Sequence, residues 1–431
     1  MYNKISQAVI LAGGKGTRLA NDGINIPKIL LQANGKSLLE NHFEELIKNN
    51  IKNVILVLGY KADEVIRFLK TIIVKYRSEI TCEFIIESSP TGTKNALLLV
   101  RNKLEGDFLL INGDLFHSNY ITGILKKLDD VDFQEYDAIF STRYTDHPED
   151  SDLIVEDLHH RITDFSSKSD QNRLPVQPIS LSGMSIINPN LLNEKYLLNG
   201  ENDFITSLLR KENLNRFNFF SSINNRLIMD LGTSDRIKKL KSLKSLDSLK
   251  PALFIDRDGT LIETVEYINN TKDVKLKKDV DSVLKHYKTK NYFLISVSNT
   301  PQIARGLTEF KTIYAINNEI QNQLNQFGVK IDAFYICPHH PDKGFLGEVS
   351  KYKIICNCRK PSTGMIDRAC EEFPIDLKNS IVIGDNWRDV ELGRQLGLKT
   401  IQISDSESGG IKSKPTKFFS SFLEYMEDLN Q

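Results

Sequence analysis

Short apolar runs recur along this chain, and an amphipathic stretch follows almost every one. QAVILA (7–12), NVILVLGY (53–60), CEFIIE (82–87) and DFLLING (107–113) have the length and branched-chain content of buried strands. Between them, SLLENHFEELIKNN (37–50) and KADEVIRFLKTIIVKY (61–76) repeat apolar residues at helical spacing. Parallel strands need a crossover, usually a helix, so this rhythm predicts βαβ units on a mostly parallel sheet, an α/β fold. The rhythm breaks once. KKLKSLKSLDSLKP (238–251) is a run of Ser-Leu-Lys triplets ending in Pro251, a last helix or a linker. A second series starts at ALFI (252–255) and continues through NYFLISVSN (291–299), DAFYICP (332–338), NSIVIGD (379–385) and LKTIQIS (398–404). The tail, FFSSFLEYMEDLNQ (418–431), is expected to close as an amphipathic helix. A domain typically holds ~100–200 residues, so a chain of 431 predicts more than one. The reading is two: 1–240 and 251–431, joined by a linker over 241–250.

Fifty-six basic and 56 acidic side chains cancel, so no net field draws the chain to nucleic acid or an anionic membrane. The longest uncharged run, Leu174 to Asn193, holds three prolines and many polar residues, and cannot span a bilayer. The N-terminus carries no basic segment followed by an apolar one, so a cytoplasmic location is expected. In a reducing compartment the five cysteines argue for a metal site rather than disulfides.

Two strand ends carry the chemistry. The first is Leu11-Ala12-Gly13-Gly14-Lys15-Gly16-Thr17-Arg18-Leu19. Glycines let backbone N–H groups approach a phosphate, and a following helix start adds positive potential. A dinucleotide fingerprint from Gly14 would need glycine where Leu19 stands, and a P-loop ending at Gly35-Lys36-Ser37 would need it at Leu30. LAGGKGTRL with Pro27-Lys28 resembles the sugar-1-phosphate nucleotidyltransferases, and the likeness extends over about 1–240. Glu87 to Thr93, with Gly92, resembles their base-binding segment. Asn112-Gly113-Asp114 resembles a strand end with a metal aspartate. Phe165-Ser-Ser-Lys168 resembles a segment whose lysine meets the sugar phosphate, Ser182-Gly183 a sugar contact, and Asp230-Leu-Gly-Thr233 a second metal aspartate. The resemblance implies a Rossmann-like, GT-A-like mixed sheet. It also implies that Arg18, Lys28 and Lys15 hold a triphosphate while Asp114 and Asp230 hold Mg²⁺, a hard cation suited to oxygen ligands. Lys94-Asn95 replaces the small residues usual after Gly92-Thr93. A carboxylate accepts hydrogen bonds only, and guanine's Watson–Crick edge offers N–H donors, so Glu87 facing the base would favour guanine over adenine.

The second strand end is Asp256-Arg-Asp258-Gly-Thr, directly after ALFI. Two carboxylates two residues apart suit a nucleophile, Asp256, and a proton donor, Asp258. With Ser298-Asn299, Lys360 and Gly384-Asp385-Asn-Trp-Arg-Asp389 in order, this half resembles the haloacid dehalogenase superfamily of phosphohydrolases. That resemblance implies that Asp256, Asp258 and Asp385 bind Mg²⁺, with Asp389 behind, and that Ser298 and Lys360 hold the phosphoryl group. Cys337-Pro-His339 and Cys356-Asn-Cys358 supply three thiolates and an imidazole, enough for a tetrahedral zinc site pinning the loop 337–358 and presenting Arg359-Lys360 to phosphate. His340 is the weaker alternative ligand. Cys82 and Cys370 lie apart and read as core residues.

Cys-Pro-His-His-Pro…Cys-x-Cys-Arg-Lys-Pro and Ile303-Ala-Arg305-Gly306 resemble the cap-less D-glycero-D-manno-heptose 1,7-bisphosphate phosphatases over about 251–405. Ser298-Asn-Thr-Pro-Gln302 departs from their usual Thr-Asn-Gln-Ser-Gly. The two resemblances together imply a bifunctional enzyme making a nucleotide sugar from heptose 1,7-bisphosphate, through heptose 1-phosphate and a nucleoside triphosphate, GTP being expected. His147 to Leu153 also resembles N-terminal domains of such fusions. The partners implied are small molecules, and a homo-oligomer stays open. Two other readings compete: another sugar 1-phosphate with a histidinol-phosphatase-like domain, or one half serving as a non-catalytic nucleotide-sugar module.

Overall fold

The computed structural model describes residues 5–431 except 34, 90, 130–134, 146–150, 158, 169–178, 243–248, 264–266 and 406–412. Most of the expected linker and the start of the His147–Leu153 segment therefore lie outside the described residues. The chain divides into two compact units, the first reaching Asp247 and the second starting at Ser248, residues 174–177 aside.

The first unit is built on a nine-stranded sheet. Gln7–Ala12 lies at its centre, parallel to Asn53–Leu58 on one side and Phe108–Asn112 on the other. Alternate residues bury against the two faces because helices such as Leu38–Lys48 and Ala62–Tyr76 cover the strands. Leu38–Lys48 starts at a full capping box, Ser37 to Glu40, which satisfies two helix-end donors. Beyond Phe108–Asn112 the sheet turns antiparallel through Ile179–Ile187, which also pairs with Ala138–Tyr144 and Leu153–Glu156. The sheet is thus mixed. The apolar rhythm foretold only its parallel part.

Thr81–Ile86 corrects the reading of CEFIIE as a buried strand. It is the sheet's edge, paired on one side only to Asn53–Leu58. Phe84 and Ile86 are 43% and 51% exposed. An edge strand keeps its apolar residues but loses one neighbour, a distinction no local pattern carries. Cys82, on the same strand, is half-buried rather than core, and Cys370 likewise.

The second unit holds six parallel strands in the order Ala333–Cys337, Phe293–Asn299, Ala252–Ile255, Ile381–Gly384, Lys399–Ile403 and Lys417–Phe419. The last strand was read as part of the closing helix, which instead spans Phe422–Leu429 and starts at a Ser421 cap. Chain order reverses direction across Ala252–Ile255, so its carboxyl end faces the crevice where doubly wound sheets place their chemistry.

Candidate active sites

In the first unit the strand ends of Gln7–Ala12 and Phe108–Asn112 open on a cavity of about 470 Å³. Leu11 to Lys15, Lys28, Glu87, Gly92, Thr93 and Asn112 to Asp114 line it, with Ile29 and Ala96. The loop needs glycine at position 13, where a Cβ would come 2.3 Å from the Glu87 carboxylate. Glu87 is buried, and burial pushes its carboxyl above the usual range. Lys28 reaches Asp114 at 2.8 Å across the floor. The turn that carries Asp114 leads into Leu115–His117, which pairs with Ile228–Asp230, so that Leu115 stands opposite Asp230 and the Leu231 N–H donates to the Asp114 carbonyl at 2.9 Å. Asp230 accepts from Arg236 at 2.7 Å through one oxygen, while its Oδ1 is buried with no partner among the described residues. A buried carboxylate oxygen without a donor fits a cation site.

Gly16, Thr17, Arg18, Lys168, Gly183 and Asp230 lie outside that lining. Thr17 and Arg18 start the short helix Thr17–Asn21. Lys168 is exposed, its N–H tied to Asp152 at 2.8 Å. Gly183 sits at φ +83 against the Asn112 amide, where a side chain would collide. Thr93 is engaged within the protein: its hydroxyl donates to Asp203 at 2.9 Å and accepts from the Phe204 N–H at 2.8 Å. Lys94 turns away, donating to the Leu198 carbonyl at 2.9 Å.

In the second unit a cavity of about 300 Å³ opens beside Ala252–Ile255. Asp256, Asp258, Asn299, Arg305, Arg359 and Lys360 line it, whereas Ser298 and Asp385 lie outside that lining. Carboxylate oxygens of Asp256, Asp385 and Asp389 lie within 4.8 Å of one another. Buried Lys360 holds this cluster together, reaching Asp256 at 2.5 Å, Asp389 at 2.6 Å and the Val297 carbonyl at 2.8 Å. Burial pushes Asp256 up to about 7 against the pull of Lys360, and Asp385 up to about 6. Clustered carboxylates that resist ionisation, with Asp389 Oδ2 buried and without a partner among the described residues, suit a divalent cation. Asp258 is gripped by the fully buried Arg257 in a two-pronged fork of 2.9 and 2.8 Å, and the Ser298 hydroxyl donates to it at 3.3 Å. Asn299 spends its amide on the Lys360 backbone, at 2.9 and 3.1 Å.

Cys337, His339, Cys356 and Cys358 converge, with ligand atoms 3.1 to 3.8 Å apart. Bond lengths of ~2.1–2.3 Å to zinc give tetrahedron edges of roughly 3.4–3.8 Å, so the donor set fits that ion. His340 turns the other way, its Nε2 3.4 Å from Arg305. Sequence reasoning missed His340, Tyr267, Asn386 and Arg388 as lining residues of this pocket. Tyr267 hydrogen-bonds Arg305, whose guanidinium lies 4.9 Å from its ring and 4.4 Å from that of Phe345.

A nucleotidyl transferase family model matches residues 7–242 and an HAD-hydrolase-like model residues 357–423. A probable D-glycero-D-manno-heptose-1,7-bisphosphate 7-phosphatase of Thermoplasma acidophilum is 38% identical over 147 residues, 34% of this chain and 85% of that protein. The D-glycero-alpha-D-manno-heptose-1,7-bisphosphate 7-phosphatase of Photorhabdus laumondii is 34% identical over 164 residues, 38% of this chain and 86% of its own length. A crystal structure of HddC from Yersinia pseudotuberculosis is 27% identical, covering 55% of this chain and 98% of that one, with a TM-score of 0.43. The chain belongs to the nucleotidyl transferase family and, through its second unit, to the HAD-like hydrolases that include these 7-phosphatases. It is a bifunctional enzyme, a nucleotidyltransferase joined to a phosphatase. Among the described residues no helix is long and apolar enough to cross a membrane.

Proposed function

We propose that the second unit removes the C7 phosphate of D-glycero-D-manno-heptose 1,7-bisphosphate and that the first joins the resulting heptose 1-phosphate to GMP from GTP, releasing pyrophosphate. The observation that carries the first half is the cationic rim. Arg305, Arg359 and Arg388 line the same pocket as Asp256 and Lys360. One phosphoryl group at Asp256 engages Lys360, and three further guanidinium groups suit a second anion. A bisphosphate brings that anion. Histidinol phosphate would bring an ammonium, which the same rim repels.

Bound Mg²⁺, held by Asp256 and Asp385 in one unit and by Asp114 and Asp230 in the other, would neutralise phosphate charge. In the second unit an Asp256 oxygen attacks phosphorus and the bond to the sugar oxygen breaks, with Asp258, turned out of the Arg257 fork and carrying a proton taken up from solvent, protonating that oxygen. Water then attacks the aspartyl-phosphate and gives its proton to Asp258, releasing phosphate and free Asp256. In the first unit no covalent help is required. A sugar-phosphate oxygen attacks the α-phosphorus in line, pyrophosphate leaves, and Lys15 and Lys28 at the cavity hold the departing charge. Cys337, His339, Cys356 and Cys358 would hold zinc, which would fix the backbone that presents Arg359 and Lys360. Glu87, buried at the cavity wall, supports guanine as the base.

The test is to offer heptose 1,7-bisphosphate with each common nucleoside triphosphate and weigh the products. GDP-heptose with one equivalent each of phosphate and pyrophosphate is expected. Phosphate release from histidinol phosphate but not from the bisphosphate would overturn the reading.

A further inference from the structure

Two histidines that neither reaction uses lie beneath the first centre. His42, on the helix Leu38–Lys48, and His117, at the end of the strand Leu115–His117, are both wholly buried. His42 Nδ1 is 2.9 Å from His117 Nε2, and His42 Nε2 is 3.4 Å from the Gly113 carbonyl. We infer that this pair is a positioning device for the turn that carries Asp114, an inference that rests on the reading of Asp114 as a metal ligand.

The hydrogen-bond chain has one consistent direction. A carbonyl only accepts, so His42 Nε2 carries the proton. In a neutral ring Nδ1 is then bare and must accept, so His117 Nε2 carries its proton as well. That leaves His117 Nδ1 as a bare acceptor, and it is the buried ring nitrogen with no partner among the described residues. Burial holds His42 down to about 4, which keeps both rings neutral and the order fixed at ordinary pH.

The peptide before Asp114 is thereby held from both sides. The Gly113 N–H donates to Leu11 at 2.8 Å, its carbonyl meets His42, and a Cβ at Gly113 would come within 2.8 Å of the Leu11 carbonyl. His117 belongs to the strand that leaves Asp114 and pairs with Ile228–Asp230, lying opposite Ile228 while Leu115 lies opposite Asp230. The pair therefore anchors both ends of the 113–117 segment to the helix Leu38–Lys48, and the backbone ladder carries that segment to the strand that ends at Asp230. Two apolar side chains would fill this space without stranding a buried acceptor. What the histidines add is direction at the Gly113 carbonyl.

The experiment uses the full-length protein with the second centre silenced by Asp256→Asn and Asp385→Asn. Mn²⁺ binding is followed by calorimetry with a non-hydrolysable nucleotide present. His42→Phe keeps an aromatic ring, slightly larger, and loses the donor; it is expected to weaken Mn²⁺ binding about tenfold, the low end for groups that orient metal ligands. His42→Gln keeps an amide donor near Nε2 and is expected to restore binding to within about twofold. Wild-type Mn²⁺ affinity in folded His42→Phe overturns the inference. Asp114→Asn separates the two claims. If it leaves Mn²⁺ binding unchanged, the ligand assignment fails and the inference with it; if it abolishes binding while His42→Phe does not weaken it, only the positioning role fails. Should His42→Phe not fold, nitrogen NMR of the wild-type imidazoles decides: both rings protonated at Nε2 support the inference, and an Nδ1 proton on either contradicts it.

Discussion

Lys360→Met should unsettle the second unit in a way that depends on pH. The ammonium is buried to 4% exposure and lies between Asp256 at 2.5 Å and Asp389 at 2.6 Å. Removing one partner of a buried ion pair costs about 3–5 kcal/mol, because the remaining charge has neither water nor a counter-ion. Protonation is the escape. Asp256 stands at about 7 with Lys360 beside it, raised by burial and held back by the ammonium. Without Lys360 it rises further. A carboxyl raised in the folded state binds a proton that the unfolded chain lacks, so folded stability falls as pH rises through the window from the ordinary carboxylate range to the raised value. Each pH unit inside that window is worth ~1.4 kcal/mol. Wild type gains stability only as pH drops below about 7, whereas the variant gains from a higher starting point. The cost of the substitution should therefore shrink by ~1–2 kcal/mol between about pH 8 and about pH 5.5. Urea unfolding of the magnesium-free protein at those two pH values, followed by a probe in the second unit, reads it directly. A cost that is equal or larger in acid would refute the reasoning, since protons would then not replace the ammonium.

Two further outcomes concern the bound groups. Glu87→Gln replaces an acceptor-only group with an amide, and the preference for GTP over ATP, measured as a ratio of kcat/KM, should fall about tenfold or more while the phosphatase is unaffected; an unchanged ratio would remove Glu87 from base recognition. Stripping zinc should raise amide exchange across 337–361 by about tenfold or more and slow phosphate release, because that loop has little core of its own. Full phosphatase rate in zinc-free protein with 337–361 still protected would contradict it.

Much of both centres was legible because glycines and carboxylates gather at strand ends. Gly13, Gly14 and Asn112 to Asp114 line the first cavity, and Asp256, Asp258 and Lys360 the second. What escaped was whatever depends on distant partners. The Thr93 hydroxyl donates to Asp203, 110 residues away, so a residue that lines the first cavity is also a joint in the scaffold. Asn299 likewise serves the backbone at Lys360 rather than only a phosphate. Tyr267 and His340 enter the phosphatase pocket from loops, and Arg388 from the first turn of the helix Trp387–Gln395, where no periodicity marks them. His42 lies within an amphipathic helix and finds its partner 75 residues further along, so neither looks unusual in its own segment. The antiparallel half of the first sheet and the exposed edge Thr81–Ile86 escaped for the same reason, since pairing is decided across the sheet and not along the strand.

The most direct test of two independent phosphorus-chemistry centres follows phosphate and pyrophosphate together in two variants. Asp256→Asn should stop phosphate release from the bisphosphate and leave pyrophosphate release from heptose 1-phosphate and GTP intact, while Asp114→Ala should do the reverse. Loss of both products in either folded variant would contradict the account.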